Sequence, residues 1–208
     1  MSAPRDVAVR EPAGPGLRAR KKAQTRQVIQ AQALRLFLAN GYDATTVEEI
    51  ATAAGVSHMT FFRHFPTKES VVDTDDYDPM IAELIASRPT AEDPLTAIHR
   101  AILEGLAAVL PEGRDALLTR TRLILATPAL RARLWENQHA TERLFTKALT
   151  ARHPAAEPPD LEVRVLAAAA LATLTTALIT WVDGDGAEDL PELVDLAFAA
   201  LRRHAGQG

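Results

Sequence analysis

Between Ser57 and Pro66 the chain reads SHMTFFRHFP, and the groups in it that could do chemistry fall at helical spacing. With Phe61 and Phe65 as the core face, His58, Met59, Thr60, Arg63 and His64 are expected to point outward. Imidazole and guanidinium donors, a methyl-bearing threonine and a flexible methionine on one exposed helix face suit a DNA major groove.

Such a face needs two helices and a sharp turn to hold it. Thr46 is expected to cap the first helix, with Glu49 reaching back three residues to complete a capping box. Val47, Ile50, Ala51 and Ala54 then form its apolar side. Gly55 stands where the backbone must turn left-handed, and Val56 can plug the corner. Ser57 is placed to cap the second helix, Pro66 to stop it, and Thr67 with Lys68 and Glu69 to start a fourth. The pattern is a helix-turn-helix.

Charge is divided in a matching way. The net charge of −4 splits into +4 for residues 1–70 and −8 for residues 71–208. Arg18, Arg20, Lys21, Lys22 and Arg26 cluster at the start of the first long helix, either as a solvated basic run or as phosphate contacts. Beside the helix-turn-helix, contact with DNA is the favoured role.

The chain offers little for catalysis. It has no cysteine, and its serines are Ser2, Ser57, Ser70 and Ser87. No G-x-S-x-G, G-x-G-x-x-G, phosphate-binding lysine loop or H-E-x-x-H is present. Asp73, Asp75, Asp76 and Asp78 have alternating spacing but lack the glycine and distal glutamate of a calcium loop, so neither a metal nor a cofactor is expected, and Asp78-Pro79 reads as a helix cap. An enzyme is therefore not expected.

Helical periodicity dominates elsewhere, so the fold should be all-α. Residues 1–17 read as a Pro- and Gly-rich disordered arm without a signal peptide, pointing to a cytoplasmic protein. Residues 18–72 form the helix-turn-helix domain and residues 73–208 a second helical domain. In the latter, Asp93 and Pro94 open a helix to Val109. Pro111 and Gly113 should break it before a further helix over 114–126. Thr127 and Pro128 open another to about Arg152, and HPAAEPPD is a loop. Asp160 starts a helix to about Gly184, and residues 191–203 form the last. Residues 165–182 carry no formal charge, but their alanines and threonines suit close helix packing better than a membrane.

Trp135, His139 and Phe145, with Arg122, Asn137, Thr176 and Trp181, could offer polar or aromatic lining if the second domain holds a small molecule. The alternative is that the aromatics are ordinary core and the histidine is exposed. An effector, if bound, should be apolar.

The run GVSHMTFFRHFPTKE, with TTVEEIA and RQVIQAQALRLFLANGY before it, resembles the DNA-binding domain of the TetR family over residues 20–72. That resemblance implies a regulator, most simply a repressor, that binds a palindromic double-stranded operator as a homodimer and is released by a small molecule. It implies DNA contacts through Arg20, Lys21, Thr46, Ser57, His58, Met59, Thr60, Phe62, Arg63, His64 and Lys68. The family usually has tyrosine at the position of Phe62, so one phosphate contact is lost or passes to Arg63 or His64. It also implies dimerisation through the last two helices, with Leu171, Leu174, Leu178, Leu193, Leu196 and Leu201 as packing residues. VVDTDDYDPMIAEL and TPALRARLWE resemble the mycofactocin-associated subgroup, which suggests an acyl-type effector. The rivals are a DNA-binding protein without an effector and an all-α module whose helix-turn-helix is vestigial.

Overall fold

The computed structural model describes residues 16–73, 77–152 and 161–205, except the side chains of Ala19, Asp73, Trp135, Glu136, His204 and Ala205. Among the described residues the chain is helical, with no strand. Residues 1–15, 74–76 and 153–160 lie outside the description, and with them most of the expected arm, Asp75 and Asp76, the expected loop, and Asp160 as a helix start.

The chain divides into two compact units at Pro66/Thr67, six residues before the boundary expected at 72/73. The first unit contains α1 (Leu17–Asn40), α2 (Val47–Ala53) and α3 (His58–His64). Ile29, Ala33 and Phe37 repeat every four residues on α1 and are buried with Tyr42, Ile50, Ala51, Phe61 and Phe65. Thr45 is buried as well, its hydroxyl donating to the carbonyl of Gly41 at 2.8 Å.

The second unit contains α4 (Ser70–Asp73), α5 (Tyr77–Ser87), α6 (Pro94–Ala126), α7 (Pro128–Ala151), α8 (Leu161–Asp183) and α9 (Leu190–Ala205). Helix α4 packs on α7, which explains why it belongs to this unit. Asp78 lies inside the first turn of α5 rather than capping it, and its carboxylate accepts from the Thr141 hydroxyl at 2.5 Å.

The break expected at Pro111 does not occur, and α6 runs through it. Proline cannot donate to the carbonyl of Ala107, but Ala107, Ala108, Pro111 and Glu112 all face solvent, where water can satisfy that carbonyl. The opposite side of α6, from Ile98 to Leu117, is buried and holds the helix continuous. Asp93 caps α6 as expected, accepting from the Thr96 amide at 2.9 Å. Thr127 precedes α7 but its side chain makes no capping bond.

Helix α8 is long and apolar enough to cross a membrane by length and composition, yet it packs against α6, α7 and α9. Ala167, Ala170, Leu171, Ala177 and Trp181 are buried there. Helix α9 is pinned to α6 by His99, whose ring stacks on Phe198 at 4.4 Å. Nε2 of the same ring lies 2.8 Å from Asp195, while Arg202 donates to Nδ1 at 3.1 Å.

Candidate nucleic-acid interface and ligand cavity

The turn that aims α3 is built from local chemistry. Thr46 Oγ1 accepts from the Glu49 amide at 3.2 Å while Glu49 Oε2 accepts from the Thr46 amide at 2.8 Å, completing the capping box. These bonds hold the Glu49 carboxyl below its ordinary range, the backbone bond contributing most. At the far end of α2, Gly55 has φ +66°, a value that strains any residue with a Cβ. Its amide donates to Thr52, and the Val56 amide donates to Ala51, closing the helix with a Schellman pair. Ser57 then caps α3 by accepting from the Thr60 amide at 3.1 Å.

The face α3 presents differs from the expected one. His58, Met59, Phe62 and Arg63 are exposed, Met59 at 78%. Thr60 is half-buried and its oxygen accepts from the Ser57 hydroxyl at 3.0 Å. His64 is buried, which removes it from the outer face. Desolvation pushes its imidazole below the ordinary range, and Arg63, Lys22 and Arg26 add to that. Arg26 also turns inward, donating to the His64 carbonyl at 2.9 Å with its guanidinium 4.3 Å from the Phe65 ring centroid. Arg20 and Lys21 are exposed on α1, Thr46 is exposed at its cap, and Lys68 is half-buried in the second unit.

Two contacts shape the outer face further. Nε2 of His58 lies 3.2 Å from Glu48 Oε1, and its ring meets Phe62 edge-on at 4.6 Å. Phe62 also meets the Phe61 ring edge-on at 5.4 Å.

The second unit contains a cavity of about 140 Å³ between α5, α6, α7 and α8. Ile81, Ile102, Leu106, Leu134, Leu174 and Leu178 give it apolar walls, and Tyr77, Asp78, Arg120, Thr121 and Thr175 supply polar groups. Gly105 forms part of the wall, because a Cβ there would come within 3.2 Å of Ile81 and 3.3 Å of Met80. The Arg120 guanidinium sits 5.3 Å from the Tyr77 ring centroid.

None of the expected lining residues with a described side chain is in this wall. Arg122 is exposed and pairs with Asp185 at 2.8 Å, and His139 is exposed beside Glu142. Asn137 is half-buried, Thr176 faces solvent and Phe145 is core. Trp181 is buried, its indole donating to the Glu188 carbonyl at 3.1 Å. Trp135 lies on α7, its side chain outside the described residues. Helical phase separates these neighbours: Thr175, four residues after buried Leu171 and three before Leu178, faces inward, and Thr176 does not. Leu171 is buried in the unit's own core, and Leu174, Leu178, Leu193 and Leu201 are half-buried against it. Leu196 alone of those six is exposed, at 65%.

Comparisons with known proteins agree with this architecture. Residues 29–74 match the model of bacterial regulatory proteins of the tetR family, and residues 92–206 match the MftR C-terminal domain. The chain is 38% identical over 164 residues to the HTH-type transcriptional regulator TcmR of Streptomyces glaucescens, covering 76% of this chain and 73% of that one. It is 28% identical to the putative mycofactocin biosynthesis transcriptional regulator MftR of Mycobacterium tuberculosis, over 86% of this chain and 90% of that one. The fold is shared with the crystal structure of Bacillus subtilis FadR in complex with stearoyl-CoA at a TM-score of 0.54 and 19% identity, covering 84% and 96% of the two chains. The curated relatives are transcriptional regulators rather than enzymes. With the helix-turn-helix in the first unit and the helical second unit both matched, the chain belongs to the TetR family of bacterial transcriptional regulators.

Proposed function

We propose that the chain acts in the cytoplasm as a homodimeric repressor that binds a palindromic operator and is released by a small apolar effector. The observation that carries this reading is the outer face of α3, held by the Thr46 box, the Gly55 turn and the Ser57 cap above a core of Phe61 and Phe65. A recognition helix of seven residues reads few base pairs. A second copy about one helical turn away along the groove adds the selectivity it lacks.

A partner subunit is supported by the outward side of α8. Leu161 and Val165 are 70% and 56% exposed there, and Ala172, Thr176 and Ile179 continue the same side with no formal charge. Leu196 extends the apolar surface onto α9. We assign α8 and α9 to the dimer contact through these residues.

The cavity in the second unit is the effector site on this account. Its apolar walls and few polar groups fit a small hydrophobic ligand. Acyl compounds are the first class to try, because the FadR structure holds stearoyl-CoA. Helix α7 contributes Leu134 to the wall and also packs on α4, so an occupant that shifts α7 shifts α4. A hundredfold loss of operator affinity requires about 2.7 kcal/mol of such coupling.

Selection of bound sites from random duplexes tests the reading. The expected product is an inverted repeat with half-site centres about 10 base pairs, or a multiple, apart. Recovery of no common sequence would overturn it.

A further inference from the structure

We propose that Met59 and Phe62 read the 5-methyl groups of thymine, so that methyl contact, more than hydrogen bonding, carries base selection in each half-site. The inference rests on the DNA-binding role proposed above. It follows from which α3 groups are engaged inside the protein. His58 already meets Glu48 at 3.2 Å, Thr60 is hydrogen-bonded to Ser57 at 3.0 Å, and His64 is buried. Of the four exposed residues of α3, two are apolar, with Met59 78% and Phe62 39% exposed.

Bare apolar side chains on a helix meant for water would be a liability, but in a major groove they meet the one apolar group that a base pair displays there, the thymine methyl. Met59 has a flexible, polarizable thioether that adapts to a methyl at more than one position. Phe62 is the opposite. Its ring meets His58 and Phe61 edge-on at 4.6 and 5.4 Å, two contacts that favour one orientation before DNA is bound. Phenylalanine has no hydroxyl to offer a phosphate, and its ring suits a contact made by surface alone. Arg63 supplies the neighbouring cation.

The test uses full-length protein and the duplex recovered from random selection. Each thymidine of a half-site is replaced in turn by deoxyuridine, which keeps every hydrogen-bonding group and removes only the methyl. Affinity should fall about fourfold at each contacted position, and about fifteenfold when both symmetric positions are changed, the value of one buried methyl group per site. Met59→Ala should bind the thymidine duplex more weakly and lose its sensitivity to uracil at one position. Phe62→Ala should do so at another. Met59→Leu should retain it. Circular dichroism of each variant identifies any that fails to fold, and the uracil series on the unaltered protein stands without them. A selective complex in which every uracil duplex binds within twofold of its parent would overturn this inference alone. Absence of any selective complex would overturn it together with the regulatory role.

Discussion

His58 on α3 and Glu48 on α2 stand 3.2 Å apart, so the recognition helix starts beside a carboxylate. Close to a phosphate backbone that carboxylate is repelled, and its charge costs about 1 kcal/mol at 4 Å in water. Glu48→Gln should therefore tighten binding to every duplex by about fivefold at low salt, with base preference unchanged, and the gain should shrink as salt rises. Fluorescence anisotropy on selected and scrambled duplexes across a salt series measures this. Weaker binding by the variant would show that Glu48 serves to orient His58 instead.

The buried imidazole of His64 should make the first unit acid-sensitive. Its folded value lies below the ordinary 6.5, so the folded state resists protonation that the unfolded chain accepts. Its contribution to stability is fully present above 6.5 and is lost as pH falls through the folded value. His64→Leu should flatten that loss in urea unfolding followed between pH 7.5 and 5. An unchanged pH profile in the variant would assign the acid sensitivity to other groups.

In the second unit, Glu92 accepts two hydrogen bonds from Arg88 at 2.8 Å and one from Arg100, and its carboxyl is held down to about 2, the Arg88 bond contributing most. Buried Arg152 donates to the backbone carbonyls of Pro89 and Glu92 from the end of α7, so this cluster fastens the α5–α6 turn. Stability from Glu92 is present above the ordinary 4.5 and is lost as pH falls from there through about 2. Glu92→Gln should lower the thermal midpoint at pH 7 and remove part of the acid dependence below pH 4.5. Identical acid limbs for the two proteins would contradict the assignment.

Filling the cavity should separate sensing from DNA binding. Leu106→Trp adds bulk to a wall residue and should cost about 1–3 kcal/mol of overpacking while leaving the first unit intact. Operator binding should persist and release by an effector should be lost, as read by displacement of labelled duplex. Full release by the same compound would place the effector elsewhere.

The sequence was most informative where local chemistry decides structure. Thr46 with Glu49, Gly55 and Ser57 each act within four residues of chain, and the structure has them as the spacing predicts. Errors arose where a neighbouring element chooses the inward face. His64 follows Phe61 by three residues, which puts it on the buried side of so short a helix, but its polarity argued for solvent. Arg120 and Thr175 line the cavity while Arg122 and Thr176 do not, because a shift of one or two positions turns a helical side chain to another face. Pro111 was expected to break a helix that carries it on its wet side. Hydrophobicity alone does not separate the leucines of α8 and α9 that are buried or half-buried, such as Leu171 and Leu193, from exposed Leu196.

The central claim is that this chain distinguishes one DNA sequence from another. Competition between the selected duplex and a scrambled one of equal length, at physiological salt, measures it directly. A preference of about a thousandfold or more, abolished with the inverted-repeat symmetry of the site, is the expected result. Equal displacement by both duplexes would contradict the account.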